Sequence, residues 1–93
     1  MAAQILPPGD FIREELEARG WTQATFARIV GRPLTTINLI INGKKAITAQ
    51  TAKEIAAVFG TSPEVWMKLE MTWQLTRAPE PDKGIIARAR QVA

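Results

Sequence analysis

Residues 22–43 read TQATFARIVGRPLTTINLIING and have the spacing of a helix-turn-helix, with the motif itself at about residues 22–42. Two helices that cross steeply over a short turn leave no room for a large side chain at the crossing, where Ala27 stands. The turn needs a residue that adopts a left-handed conformation without strain, and Gly31 does so. The inside of the corner is filled at helical spacing by Phe26, Val30, Ile37 and Ile40. The stretch therefore predicts a motif that reads DNA.

Caps, first-turn prolines and terminal glycines on both sides of this stretch predict an all-α chain. Thr22, Thr48 and Ser62 are expected to begin helices, since a hydroxyl side chain accepts free N–H groups at a helix start. Pro33 suits the first turn of the third helix, where its missing N–H costs nothing. The predicted helices lie at about 10–19, 22–31, 33–42, 48–59 and 62–76.

The segment after the fifth helix differs from the rest in composition. Residues 78–84, APEPDKG, contain two prolines and predict a stiff linker. Residues 84–93, GIIARARQVA, predict one short, basic, weakly amphipathic helix. We therefore expect a helix-turn-helix DNA-binding domain at residues 1–77, followed at residues 78–93 by a Pro-rich linker and a short C-terminal helical tail.

The composition excludes several kinds of function. The 93 residues suffice for one small domain, and they contain neither cysteine nor histidine. This removes disulfides, thiolate and imidazole zinc sites, and the Ser-His and Cys-His nucleophile pairs. No motif places an acid/base pair or a glycine-rich phosphate loop, so we expect no enzyme, no metal and no cofactor. The N-terminal residues lack the pattern of a signal peptide, which favours a cytoplasmic location without membrane contact.

The charge is distributed unevenly around the motif. The chain carries a formal net charge of +3, but every charged side chain between residues 18 and 53 is basic. Neutralising phosphates supplies most of the sequence-independent affinity for a DNA duplex. A basic block alone is also compatible with an ordinary solvated face, but its coincidence with the helix-turn-helix favours DNA binding.

Three stretches resemble the XRE family, with its phage-repressor fold, and within it the HigA-type antitoxin branch. They read PPGDFIREELEARGWTQATFA at 7–27, INGKKAIT at 41–48 and FGTSPEVWMKLE at 59–70. The resemblance covers about residues 7–76 and implies a five-helix, phage-repressor-like DNA-binding domain. It also implies a small homodimeric repressor that binds a palindromic operator in double-stranded DNA and neutralises a toxin, commonly an mRNA-cleaving ribonuclease.

Two alternatives to the antitoxin role stay open. An XRE-type transcriptional regulator without a toxin partner carries the same motif. The tail PDKGIIARARQVA, residues 81–93, also resembles the connecting region of XRE proteins that carry a metalloprotease-like domain. On that interpretation the chain is the N-terminal DNA-binding module of a longer protein.

The outer face of the third helix supplies the candidate base contacts. Since helical spacing turns the isoleucines toward the core, the residues left facing outward are Thr35, Thr36, Asn38 and Leu39. Threonine can bond base edges and asparagine can pair with adenine. No arginine or lysine stands on this face for the bidentate guanine contact, so we expect an A·T-leaning site read by threonine, asparagine and methyl contacts. Alternatively, the apolar Leu39 marks a protein-binding surface and DNA binding has been lost.

Candidate phosphate contacts lie at the ends of the two helices of the motif. They are Gln23, Arg32, Asn42, Lys44 and Lys45. The glutamine matches one that the XRE family places against phosphate. The arginine has a second interpretation, in which its stem only covers the core.

The fifth helix carries a candidate dimer or partner surface, formed by Met67, Met71 and Trp73. Tryptophan and methionine are enriched at the centres of protein interfaces. Trp66 lies on the stripe that we expect to seal this helix onto the core, whereas Trp73 suits core packing and an interface equally well.

Overall fold

The computed structural model describes residues 5–92, and these residues form six α-helices and no strand, which confirms the all-α prediction. The helices are α1 (Pro8–Arg19), α2 (Gln23–Val30), α3 (Leu34–Ile41), α4 (Ala49–Phe59), α5 (Pro63–Arg77) and α6 (Gly84–Val92). The outermost residues of the two predicted units, 1–4 and 93, lie outside the described part of the chain.

Hydroxyl caps begin three of the helices where the sequence predicts them. Each cap accepts a hydrogen bond from the backbone N–H three residues further on, as seen at Thr22, Thr48 and Ser62. Two starts differ from the prediction. α1 begins at Pro8 rather than near Asp10, because a proline at the first helical position needs no N–H partner. Pro33 is the N-cap of α3 and stands just outside the helix rather than in its first turn.

Helices α1 to α5 surround one apolar core. α4 packs on α5 and α2, and α1 packs on α3 and α5. Phe59 of α4 contacts both α2 and α5. Its ring stacks on Phe26 of α2 with centroids 5.2 Å apart and lies 5.9 Å from the Trp66 ring of α5. Trp66 is 2% exposed and donates from Nε1 to the Thr61 hydroxyl at 2.8 Å, which confirms that it seals α5 onto the core.

The start of α1 holds the end of α3. Gly9 approaches α3 so closely that a Cβ atom there would stand 1.8 Å from the carbonyl oxygen of Ile41. One turn further along α1, Arg13 donates from Nη2 to Oδ1 of Asn42 at 2.6 Å. Position 9 therefore needs a residue without a side chain, and α1 positions the C-terminal end of α3.

The tail forms the predicted short helix. α6 contains no buried residue. Asp82 accepts the backbone N–H of Gly84 at 3.0 Å and Nη2 of Arg88 at 2.9 Å, and these two bonds lower the pKa of its carboxyl. Within residues 5–92, no helix combines the length and the apolar character that crossing a membrane requires.

Candidate nucleic-acid interface

The corner between α2 and α3 is built around one carbonyl group. Ala27 is buried at the crossing, and its carbonyl oxygen accepts the N–H groups of Gly31 and Arg32 at 2.9 and 3.1 Å. Gly31 has a φ of 82°, the left-handed conformation that the turn requires. The small residue and the glycine therefore stand where the helix-turn-helix spacing predicts them.

The predicted base-contact residues lie away from the core on α3. Ile37, Ile40 and Ile41 are buried, as expected. Thr35 and Leu39, four residues apart, form the exposed ridge opposite them, and Leu39 is 43% exposed. The half-buried side chains on the two flanks of this ridge are Thr36 and Asn38. The outer face of α3 therefore carries hydroxyl, amide and aliphatic side chains and no charged one.

The loop after α3 presents two lysines in a fixed arrangement. Lys44 donates its N–H to the Leu39 carbonyl at 2.8 Å, while Gly43 donates to the Ile40 carbonyl at 3.1 Å with a φ of 73°. These two bonds form a Schellman motif, which the glycine permits. The N–H of Lys45 also reaches the Leu39 carbonyl, at 3.1 Å. Both lysines are exposed, and neither takes part in an ion pair among the described residues.

Arg32 is engaged within the protein. Its Nε and Nη2 atoms donate to the two carboxylate oxygens of Glu54 on α4, at 2.5 and 3.2 Å. This two-point contact raises the pKa of Arg32 and lowers the pKa of Glu54. Arg32 is therefore held in an ion pair that ties the turn to α4, and its phosphate contact stays a prediction. Sequence reasoning missed Glu54, although it is the first acidic residue after the basic block.

The remaining predicted phosphate contacts differ in availability. The Asn42 side-chain oxygen is occupied by Arg13, so only its amide group is free of that bond. Gln23 is the first residue of α2 and is half-buried. It lines a shallow cleft together with Arg13 and Glu17. The structure thus brings the four base-contact candidates and both lysines together on α3 and its loop, and leaves Arg32 outside that set.

On α5, Met67 and Met71 continue into an apolar ridge that includes Leu75. The three side chains are spaced four residues apart and are 38%, 54% and 69% exposed. The ridge borders a groove of about 510 Å³ that also contacts Ile47 and Ala78. Sequence reasoning missed Leu75, although its spacing from Met71 is the signal that would have found it.

Trp73 does not belong to this ridge. It is half-buried, and its Nε1 atom is enclosed without a hydrogen-bond acceptor among the described residues. The guanidinium of Arg77 covers the ring at 5.2 Å from its centroid. The predicted surface of Met67, Met71 and Trp73 is therefore not one face of the helix, because Trp73 stands two residues after Met71 and lies off the row that Met67 and Met71 form.

A buried carboxylate connects α5 with the loop that follows α3. Glu70 is 8% exposed and accepts the backbone N–H of Ile47 at 2.7 Å and the side-chain amide of Gln74 at 2.8 Å. Both carboxyl oxygens of this buried side chain accept hydrogen bonds, and among the described residues no basic side chain pairs with it. The sequence gives no pattern that would have distinguished Glu70 from a solvated residue.

Comparison with known proteins agrees with this architecture. Residues 12–66 match the model of the HTH_3 helix-turn-helix family. An HTH-type transcriptional regulator of Escherichia coli K12, YddM, is 34% identical over 71 residues, which cover 76% of each protein. An addiction module antidote protein of the HigA family from Coxiella burnetii is 31% identical, with a TM-score of 0.73 over 78% of this chain and 80% of its own. The Pseudomonas aeruginosa antitoxin HigA, solved with the higBA promoter, is 26% identical, with a TM-score of 0.74 over 96% of this chain and 91% of its own.

The chain belongs to the HTH_3 helix-turn-helix family, as the resemblance to XRE proteins predicts, and shares the fold of HigA-type antitoxins. It is a DNA-binding transcriptional regulator and not an enzyme.

Proposed function

We propose that this protein is a cytoplasmic homodimeric repressor that binds a palindromic operator and acts as the antitoxin of a toxin-antitoxin pair. The observation that carries the DNA-binding part is the uncharged outer face of α3, followed directly by two lysines that the Leu39 carbonyl holds in place and that form no ion pair within residues 5–92. Thr35, Thr36, Asn38 and Leu39 then face the bases, and Lys44 and Lys45 face the phosphates. Gln23 and the amide of Asn42 add phosphate contacts.

The homodimer follows from the geometry of recognition. One helix-turn-helix reads only a half-site, and a two-fold symmetric pair places its recognition helices about one helical turn of DNA apart. The ridge of Met67, Met71 and Leu75 is the surface that we assign to the second copy, because its apolar side chains are exposed and adjoin a groove.

The antitoxin part of the proposal is supported by the fold. The Coxiella burnetii relative is an antidote protein of the HigA family, and the Pseudomonas aeruginosa relative is an antitoxin solved with its promoter. A transcriptional regulator without a toxin is the second candidate, favoured by the name of the Escherichia coli relative. Co-expression with the product of the adjacent reading frame separates the two, since only an antitoxin restores growth and co-purifies with a toxic partner.

The DNA interface is tested by the salt dependence of binding to duplexes from the promoter of the gene itself. Lys44→Ala and Lys45→Ala should each flatten the slope of log K against log salt by about one unit, because each removes one phosphate contact. Asn38→Ala should instead cost roughly 1–3 kcal/mol at the cognate duplex only. Lys83→Ala, an exposed lysine between α5 and α6, is the matched control and should leave the slope unchanged. Equal slopes for all three lysine variants would contradict the phosphate assignment.

A further inference from the structure

The outward ridge of α3 presents an apolar side chain where a DNA-reading helix meets the bases. Leu39 is 43% exposed and lies one helical turn after Thr35, on the side opposite the buried isoleucines. Leucine has no donor or acceptor, so it cannot read the hydrogen-bonding pattern of a base pair. Any contribution of Leu39 to recognition must come from apolar contact.

The same residue anchors the phosphate-binding loop. The Leu39 carbonyl accepts the N–H groups of both Lys44 and Lys45, at 2.8 and 3.1 Å. The side chain of Leu39 and the backbone that carries the two lysines therefore share one rigid turn. When the lysines bind phosphates, the depth and register of Leu39 in the groove are set.

The major groove offers one apolar group at the edge of a base pair, the C5-methyl group of thymine. We propose that Leu39 contacts this methyl group, so that the base pair facing Leu39 in each half-site contains a 5-methylpyrimidine. The proposal rests on the DNA-binding function proposed above and specifies what one residue of that site recognises. A protein partner that covers Leu39 instead is an outcome that the test distinguishes.

The experiment replaces thymine by deoxyuridine, which removes the methyl group and keeps the base pair. A duplex enriched from a random pool by the full chain is synthesised with symmetric replacements, one thymine position at a time, and binding is measured by fluorescence anisotropy. At one thymine position, loss of the methyl group should weaken binding about fourfold per half-site, the effect of removing one buried methyl-sized group. The symmetric replacement in both half-sites should therefore weaken binding about 15-fold. A penalty at a position contacted by a threonine methyl group should be the same in the Leu39 variants, so those variants identify the position that Leu39 contacts.

Variants of the protein assign this penalty to a residue. Leu39→Ala should bind the thymine duplex more weakly and should lose less than twofold on deoxyuridine replacement. Alanine favours the helix and the site is exposed, so circular dichroism should show an unchanged fold. Leu39→Met keeps an apolar side chain and should keep the penalty. Val65→Ala removes a similarly exposed side chain, 47% exposed, from α5 and should behave as the unaltered protein.

The outcomes separate this proposal from the one on which it rests. An equal deoxyuridine penalty in the Leu39→Ala and unaltered proteins would overturn the role of Leu39 while leaving sequence-specific binding intact. The absence of any penalty in the unaltered protein would do the same. If the chain enriches no sequence from the pool, the DNA-binding function itself fails, and with it the assignment of Leu39. If Leu39→Ala changes only the binding of the adjacent gene's product, the residue belongs to a protein interface.

Discussion

α3 and α5 both expose apolar side chains, but the groups around those side chains suit them to different partners. Leu39 on α3 is flanked by hydroxyl and amide side chains and is followed by two lysines without an ion-pair partner in the described part of the chain. The ridge of Met67, Met71 and Leu75 on α5 borders a groove that is also lined by Ile47, Ala78, Glu70 and Gln74. Exposure alone therefore does not identify a partner. The charge and polarity beside the exposed residue decide between a polyanion and a second protein surface.

The two helices also differ in how the fold holds them. α3 is positioned at its C-terminal end by α1, where Gly9 approaches the backbone closely, and is preceded by a turn that the Ala27 carbonyl closes. α5 is held by one large side chain, Trp66, and by the buried carboxylate of Glu70. Changes at these points should affect stability, DNA binding and association differently, which makes the comparison testable.

The largest effect is expected from Trp66→Ala, which removes the side chain that seals α5. A buried tryptophan truncated to alanine costs roughly 3–5 kcal/mol, and here the contact with Phe59 is lost as well. Urea unfolding should show the loss as a lower midpoint. Trp66→Phe keeps an aromatic ring against Phe59 but loses the bond to Thr61, and should cost about 1 kcal/mol. If the two variants were equally stable, ring packing would not be what holds α5.

Gly9→Ala should follow, with a loss of about 3 kcal/mol, because the new Cβ would overlap backbone rather than a flexible side chain. The displacement would reach the C-terminal end of α3, so operator affinity should fall further than stability alone explains. Gly84→Ala is the matched control, since its Cβ would meet the movable side chains of Arg88 and Asp82 rather than backbone. Thermal melting measures the stability of both variants, and anisotropy measures their operator affinity. If Gly9→Ala and Gly84→Ala lost the same stability and the same affinity, the positioning role of α1 would be refuted.

Association should depend on the α5 ridge. Replacing Met67, Met71 and Leu75 together by glutamine should raise the dimer dissociation constant at least tenfold, or about 1.4 kcal/mol, because apolar burial between the copies is lost. Sedimentation equilibrium measures this change, and circular dichroism should stay helical since all three side chains are exposed.

Val65→Gln is the control for that measurement, because Val65 lies in a separate groove with Ile5 and Leu6. If the triple variant stayed fully dimeric and Val65→Gln dissociated, the dimer interface would lie at the groove of Val65 instead.

Local signals predict most of this fold. Each of the three hydroxyl caps and the corner residues Ala27 and Gly31 acts through neighbours within five residues, so the chain itself displays the pattern. The same holds for the outward face of α3, which follows from helical period alone. The tail helix was predictable for the same reason.

The features that could not be predicted depend on long-range contacts. Glu54 and Glu70 act on residues 22 and 23 positions away, and Arg13 reaches Asn42 across 29 positions. No periodicity relates such pairs, and only the packed fold brings them together. Trp73 was ambiguous because the stripe it shares with Trp66 lies near the edge of the core, where a small rotation of the helix decides its burial.

The smallest expected effect concerns the ion pair that holds Arg32 against Glu54 of α4. The contact with Arg32 lowers the pKa of Glu54 in the folded protein. The stabilisation is therefore present above the ordinary glutamate pKa of about 4.3 and is lost as the pH falls through and below that value. Because both side chains are about a quarter exposed, at 26% and 28%, screening by solvent limits the effect to less than about 1 kcal/mol.

Glu54→Gln should therefore lower the free energy of unfolding slightly at pH 7 and make the variant lose less stability than the unaltered protein between pH 5 and about 3. Urea midpoints at several pH values measure this difference. Glu17→Gln removes an exposed carboxyl that forms no ion pair among the described residues and should leave the pH dependence nearly unchanged. The freed Arg32 should also gain access to phosphate, which would steepen the salt dependence of DNA binding by up to one unit. An unchanged pH profile together with an unchanged salt slope would show that the Glu54 contact neither stabilises the turn nor keeps Arg32 from DNA.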